Sequence, residues 1–152
     1  MKAIAILLAR GGSKGIPKKN ILKINNIPLI NYTIQQCLES GIDEIYTSSD
    51  DQNILEIAKQ FGSKTIIRPD NLANDFATSE SGWIHALANI PNIDFHNDWI
   101  FAPQLTSPIR EPHDIKRALN IANTNKFDSI FSATKFEDFF IWENRNNNFV
   151  SL

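Results

Sequence analysis

The sequence predicts an α/β fold in which helices cover both faces of a mostly parallel sheet. Three observations indicate this. Short apolar runs alternate with amphipathic segments, the connections between runs are too long for hairpins, and the first run, KAIAILLA at 2–9, is apolar at almost every position. Such a run is typical of a strand at the centre of a parallel sheet, where both faces are buried. The alternation then predicts right-handed βαβ units, and therefore a doubly wound sheet.

Local signals place the elements in order. The segment 28–41 predicts a helix that ends at Gly41, and 50–62 predicts a helix with Asp50 or Asp51 as its N-cap, because a carboxylate accepts the free amides of the first turn. The core-facing side of the first helix is expected to hold Leu29, Ile30, Thr33, Ile34, Cys37 and Leu38. The other predicted strands are 44–49, 64–69, 98–104 and 128–134, and the other predicted helices are 78–89 and 113–125.

The alternation breaks at residue 136. The segment 136–152 has no pattern for a crossover helix and predicts an antiparallel C-terminal hairpin that turns at 145–148. We therefore expect an α/β domain over 1–135 and the start of a separate hairpin element over 136–152. An apolar patch at the start of this element favours contact with a partner chain and consists of Phe136, Phe139, Phe140, Ile141 and Trp142.

Composition excludes several classes of protein. A chain of 152 residues with 42% hydrophobic residues supports one globular core, and a net charge of −2 argues against a general nucleic-acid binder. The single cysteine, Cys37, cannot form a disulfide framework or a cysteine zinc site within the chain, which favours a reducing compartment. The first apolar run is too short for a membrane span and lacks a secretory cleavage pattern, so we expect a cytoplasmic protein that does not bind membranes.

The stretch LLARGGSKGIPKKN at 7–20 concentrates glycine and positive charge. It holds three of the six glycines and four cations, and the first 38 residues carry a net charge of +6 while the rest carry −8. Ligands of parallel α/β sheets collect at the carboxyl ends of the strands, where this loop, Arg68 and 104–110 are expected to meet. Glycines let backbone amides approach a ligand and fixed cations neutralise its charge, so the pattern predicts polyphosphate binding.

Spacing excludes two common phosphate-binding loops. The order Gly11, Gly12, Ser13, Lys14, Gly15 matches neither the G-x-x-x-x-G-K-[ST] pattern of P-loops nor the G-x-G-x-x-G pattern of dinucleotide-binding folds. An alternative is that these residues form only a solvated turn. The buried strand before the loop and the local concentration of charge favour binding.

Five motifs, in this order, resemble one known family. They are ARGGSKGIPKKN at 9–20, SSDD at 48–51, RPDNLANDFATSESG at 68–82, QLTSPIR at 104–110 and DSIFSA at 128–133. The sequence is similar to the acylneuraminate cytidylyltransferases, including bacterial relatives that use legionaminic and pseudaminic acids. The resemblance implies a Rossmann-like sheet of the nucleotide-diphospho-sugar transferase type. It also implies an enzyme that joins CTP to a nine-carbon 2-keto sugar acid with Mg²⁺, releases pyrophosphate and forms a homodimer.

The resemblance also implies roles for individual residues. Arg10 and Lys19 match the catalytic cations that hold the triphosphate. The remaining nucleotide-binding positions are Ala9, Gly11, Gly12, Ser13, Asn20, Arg68, Ala77 and Ser79, of which Arg68, Ala77 and Ser79 lie around the base. The positions that face the sugar acid are Gln104, Thr106 and Ser107. No metal ligand is assigned, because the family's Mg²⁺-binding aspartates belong to a segment beyond residue 152.

Departures from the family pattern leave alternatives open. Leu105 stands where the family has proline, and no matching D-x-D occurs in the chain. Asp50 and Asp51 could suggest a metal site, but an Asp that begins a helix is usually a cap. Two other hypotheses are a CTP-binding domain without catalytic activity and a nucleotidyltransferase for a different sugar.

The histidines and tryptophans are expected to pack or to lie at the surface rather than to take part in chemistry. His85 lies within the predicted helix over 78–89 and is expected to pack rather than to act as a general base. His96 and His113 are expected at the surface. The tryptophans are spaced as core residues rather than as a stacking platform.

Overall fold

The computed structural model describes residues 1–124, 127–134, 142–145 and 148–151. The predicted aromatic patch from Phe136 to Trp142 lies outside the residues whose side chains are described. The strands are β1 (Ala3–Leu8), β2 (Lys23–Ile24), β3 (Ile27–Pro28), β4 (Glu44–Ser49), β5 (Lys64–Ile67), β6 (Trp99–Phe101), β7 (Trp142–Arg145) and β8 (Asn148–Ser151). The helices are α1 (Leu29–Ser40), α2 (Gln52–Gln60), α3 (Ser79–Ala88) and α4 (Pro112–Thr124).

The main sheet is parallel and has the strand order β5-β4-β1-β6. Ala5 of β1 lies opposite Ile45 of β4 on one side and opposite Phe101 of β6 on the other. The chain thus leaves β1 in one direction, through β4 and β5, and returns to add β6 on the opposite side. The predicted mostly parallel α/β sheet is confirmed, and β7 and β8 pair antiparallel as the predicted hairpin, with Arg145 opposite Asn148.

Helices cover both faces of this sheet. One apolar cluster joins Ala5 and Leu7 of β1 to side chains of α1, α2 and α4. A second cluster on the other face joins Ile4 and Ile6 to Ala86 of α3. The four β1 residues are at most 1% exposed, which explains why the sequence of β1 is apolar rather than alternating.

The helix ends follow the predicted chemistry. The carboxylate of Asp51 accepts the amides of Asn53 and Ile54 and caps α2. Gly41 ends α1 with φ of +85°, a left-handed conformation that glycine adopts without steric cost.

Three features differ from the sequence-based prediction. Residues 127–134 form no strand, and every residue there is exposed, because apolar composition makes a strand only where a neighbour supplies hydrogen bonds. Leu38 is 45% exposed, since it lies about 100° round the helix axis from the buried Cys37. The short β2–β3 hairpin was not predicted, although its turn residues Asn25 and Asn26 both have positive φ, for which Asn is suited.

Candidate functional site

A cleft of about 430 Å³ opens at the carboxyl edge of the sheet, beside the strand β1 where the strand order reverses. In parallel α/β sheets this is the usual position of a ligand. The loop after β1, the residue after β5, the segment that leads into α3 and the loop after β6 all contribute to its walls. The sequence predicted that the glycine loop, Arg68 and 104–110 converge here, and that the end of the strand over 44–49 joins them; the segment that leads into α3 lines the cleft instead, and 47–50 does not line it.

Nine of the thirteen predicted site residues line this cleft, namely Arg10, Ser13, Lys19, Asn20, Arg68, Ala77, Ser79, Gln104 and Thr106. The other four do not line it. Ala9 is buried with its amide bonded to the Ser48 carbonyl at 3.0 Å, and Gly12 is exposed. Gly11 contacts Asp50, and Ser107 is held in the loop after β6. The structure therefore brings nine of the thirteen predicted residues together in one cleft.

The glycine loop is fixed from beneath by two adjacent aspartates. The Gly11 amide donates to Oδ1 of Asp50 at 2.9 Å. A Cβ at Gly11 would lie 2.8 Å from Cβ of Asp51, so only glycine fits this close approach. Asn20, 5% exposed, donates from Nδ2 to the Arg10 carbonyl at 2.9 Å and braces the other side of the loop.

Two cations of the loop meet one carboxylate in the cleft. Nη1 of Arg10 lies 3.0 Å from Oδ1 of Asp75, and Nζ of Lys14 pairs with the other carboxylate oxygen, Oδ2. The hydrogen bond from Lys14, together with the charges of Lys14 and Arg10, holds the pKa of Asp75 below its ordinary value. Asp75 is therefore ionised at neutral pH and reduces the net positive charge of this wall.

Arg68 is a buried cation within the same cleft. It is 5% exposed, and its Nε and Nη2 atoms have no hydrogen-bond partner among the described residues. Burial lowers its pKa; the charge of Arg10 acts in the same direction and that of Asp50 opposes it. A Cβ at Gly82 would lie 3.1 Å from Nη1 of Arg68, so glycine lets α3 pack against this guanidinium. Buried N–H groups that lack an acceptor can donate hydrogen bonds to a ligand.

The first turn of α3 forms another wall. Thr78 caps the helix by accepting the Ser81 amide at 3.2 Å, and Thr78 and Ser79 line the cleft. The preceding turn is closed by Asn74, whose Oδ1 accepts the amides of Phe76 and Ala77. A ligand here would meet hydroxyl groups at the positive end of a helix dipole.

The loop after β6 is held by a pair of residues that the sequence did not single out. Arg110 donates from Nη2 to the carbonyls of Gln104 and Ser107, and from Nη1 to Oε1 of Gln36 at 3.0 Å. Gln36 in turn donates to two carbonyls of the same loop. Leu105 is 4% exposed and joins the apolar core, so the residue that replaces proline anchors the loop by burial.

The described residues do not gather enough ligands to enclose a metal ion without help from a bound molecule. Within 1–124 and 127–134, no group of three or more His, Cys, Asp or Glu side chains could hold a metal ion. Asp50 and Asp51 are engaged by the Gly11 amide and by the first turn of α2, as the capping interpretation predicts.

The remaining candidates occupy the expected places, with one exception. His85 is half-buried on α3, and His96 and His113 are exposed. Trp83 packs against the second apolar cluster but also lines the cleft, so it is more than a core residue. No helix in the described part of the chain has the length and apolarity that crossing a membrane requires.

The fold and the cleft define a Rossmann-like α/β domain with a cationic cleft at the carboxyl edge of its sheet. Residues 4–152 match a protein family described as cytidylyltransferase. The chain belongs to this family. The expected family resemblance is thus confirmed.

Curated relatives are similar to the chain over most of its length. The chain is 40% identical over 141 residues to pseudaminic acid cytidylyltransferase of Campylobacter jejuni, covering 90% of this chain and 60% of that protein. It is 33% identical over 144 residues to N-acylneuraminate cytidylyltransferase B of Danio rerio, covering 95% of this chain and 33% of that protein. The chain thus spans 60% or less of the length of these two relatives.

The structural likenesses show the fold. A CMP:2-keto-3-deoxy-manno-octonic acid synthetase complexed with CTP superposes with a TM-score of 0.67 at 21% identity, covering 82% of this chain and 48% of that one. A cytidylyltransferase from Leptospira borgpetersenii gives a TM-score of 0.64 at 20% identity, covering 83% of this chain and 50% of that one.

Proposed function

We propose that the protein is a nucleotidyltransferase that joins CTP to a nonulosonic acid and yields a CMP-sugar and pyrophosphate. The observation that carries the proposal is the cleft, which gathers the glycine loop, Arg68, the start of α3 and the loop after β6. Pseudaminic acid is the first substrate to test, because a relative named for it is 40% identical, against 33% for relatives named for N-acylneuraminate.

The reaction requires charge neutralisation more than covalent help. The anomeric hydroxyl oxygen of the sugar bonds to the α-phosphorus, the bond from that phosphorus to the bridging oxygen breaks, and pyrophosphate leaves with the electron pair. The hydroxyl proton is lost to solvent. Negative charge develops on the phosphoryl oxygens, so Arg10 and Lys19, which both line the cleft, lower the barrier.

The other walls suit the remaining parts of the two substrates. In the proposed arrangement Arg68, Ala77 and Ser79 surround the cytosine, whose carbonyl oxygen accepts N–H groups such as those that Arg68 leaves unpaired. Gln104, Thr106 and Ser107 supply amide and hydroxyl groups for the carboxylate and hydroxyls of the sugar acid. The glycine loop, with Ala9, Gly11, Gly12 and Ser13, supports the phosphate tail.

The proposal includes a requirement for Mg²⁺ and assembly as a homodimer, which the resemblance implies. It also includes a cytoplasmic location, which the single cysteine and the short first apolar run favour. Dialysis against a chelator followed by return of Mg²⁺ tests the first property, and light scattering tests the second.

The test of the function is pyrophosphate release from CTP with a panel of nonulosonic acids. We expect Arg10→Ala to lower the turnover rate about 100-fold or more while the fold is retained. Arg117→Ala is the matched control, because Arg117 is exposed on α4 and does not line the cleft. Equal rates in the two variants would contradict the role of Arg10.

A second candidate is a domain that binds CTP without turnover. It draws on the same cleft, whose cations and unpaired Arg68 N–H groups suit a nucleotide whether or not turnover follows. Calorimetric binding of CTP with no pyrophosphate release from any sugar acid would support this candidate. Equal competition by UTP or GTP would instead indicate a nucleotidyltransferase for a different sugar.

A further inference from the structure

Asp75 has no role in the proposed chemistry, yet it lies among the cations of the glycine loop. Its two carboxylate oxygens contact different cations, Oδ1 contacting Arg10 and Oδ2 contacting Lys14. All three side chains line the cleft. This carboxylate is the point at which the loop after β1 is joined to the segment that leads into α3.

The contacts of Arg10 use one end of its guanidinium. Nη1 donates to the Asn74 carbonyl at 3.1 Å and to Oδ1 of Asp75 at 3.0 Å, and this nitrogen carries two hydrogens. Nη1 is therefore fully used. No described residue accepts a hydrogen bond from Nε or Nη2, and the Arg10 side chain is 37% exposed. The Nε–Nη2 edge is the pair of parallel donors with which arginine binds two phosphate oxygens at once.

The segment that carries Asp75 is itself braced. Asn74 accepts the amides of Phe76 and Ala77 through its side chain and donates from Nδ2 to the Asn71 carbonyl at 3.0 Å. Both acceptors of Arg10 therefore sit on a closed turn. A long side chain held at one end by such a turn loses less freedom when a ligand binds its other end.

We propose that Asp75 is a positioning residue that holds Arg10 by Nη1, so that the Nε–Nη2 edge of Arg10 is presented to a polyphosphate in the cleft. The proposal rests on the proposed function, because it takes the triphosphate as the ligand. Its test uses binding rather than turnover, with inorganic tripolyphosphate and CTP as separate probes in calorimetry.

We expect Asp75→Ala to weaken tripolyphosphate and CTP binding by about 3- to 10-fold, the loss expected when the ligand itself must order a long side chain. Asp75→Asn keeps an oxygen acceptor for Nη1 and should fall between wild type and Asp75→Ala. Asp70→Asn is the matched control, because it removes the same charge from an exposed residue of the same segment that does not line the cleft. It should bind as the wild type does.

A double-mutant comparison with Arg10 distinguishes a positioning role of Asp75 from a general effect of Asp75 on the fold. In an Arg10→Ala background, Asp75→Ala should change tripolyphosphate affinity less than 2-fold, because the positioned group is gone. Asp75→Ala should also unfold at the wild-type temperature. If Asp75→Ala does not fold, the tripolyphosphate affinities of Asp75→Asn and Asp70→Asn are compared instead, each with and without Arg10.

Several results would overturn the proposal. Tighter binding in both Asp75 variants would show that Asp75 is a competing counterion, and an equal loss with and without Arg10 would show an indirect effect. Failure of the wild type to bind tripolyphosphate would also refute it. If the wild type binds tripolyphosphate with the expected differences but releases no pyrophosphate from CTP, the proposed function fails and the role of Asp75 stands.

Discussion

Gly11 is the most tightly packed glycine of the glycine loop, and its neighbour Gly12 serves as an internal control. A Cβ at Gly11 would lie 2.8 Å from Cβ of Asp51 and 3.0 Å from its Oδ2, whereas a Cβ at Gly12 would meet nothing within 4 Å. The Cβ of Asp51 is fixed to the backbone at the start of α2, so it cannot turn away. In Gly11→Ala the loop must therefore lift from α2, which strains its hydrogen bond to Asp50.

The size of the effect follows from this clash. Overpacking of this kind costs about 1–3 kcal/mol. At roughly 3 °C per kcal/mol for a domain of this size, Gly11→Ala should lower the melting temperature by about 3–9 °C. Gly12→Ala should leave it unchanged or raise it slightly, because alanine restricts the unfolded chain.

Two assays check the prediction. Thermal unfolding followed by circular dichroism gives the melting temperatures, and calorimetry gives the CTP affinity, which should fall in Gly11→Ala because the displaced loop carries Arg10. If both variants melted at the same temperature and bound CTP equally, the contact between the loop and α2 would not fix the loop.

Three further predictions use other parts of the structure. Arg110→Ala removes two hydrogen bonds to carbonyls of the loop after β6. Steady-state kinetics should then show a KM for the sugar acid that is raised about 10-fold and an unchanged KM for CTP. A parallel rise in both KM values would refute the role of Arg110 in holding this loop. Hydrogen bonds from Lys64, Lys2 and Tyr46 lower the pKa of Glu44 from 4.5 to about 2. The stability that ionised Glu44 gives the fold is therefore fully present above pH 4.5 and is lost as the pH falls through 2. The difference in melting temperature between wild type and Glu44→Gln should shrink over that interval. Burial raises the pKa of Cys37 to about 12, so the thiol should not react with a disulfide reagent at pH 8 until the protein is unfolded. Fast labelling of the folded protein would contradict this and show that Cys37 is accessible.

The sequence predicted those parts of the fold whose signals are local. The unbroken apolar run of β1, the Asp51 cap and the Gly41 stop each follow from neighbouring residues, and the structure has all three. The run at 128–134 has the composition of a strand, but composition does not show whether a neighbour supplies hydrogen bonds. Short elements such as β2 and β3 were missed because two residues carry no periodicity.

The same distinction holds for the site. The loop that bears Arg10 was recognisable because its glycines and cations are contiguous. Asp75 and Gln36 were missed because their partners, Arg10 and Arg110, lie 65 and 74 positions away in the chain. Their residue types are unremarkable in their own segments, so only the folded topology reveals them.

The central position of β1 also bears on how the chain is made. Ala3 pairs with Trp99, 96 positions later, so β1 cannot complete its hydrogen bonds until the ribosome has added these 96 residues. Until then one edge of an apolar strand is open to other chains. Nascent intermediates that end before β6 should therefore depend on holding chaperones more than chains that include β6.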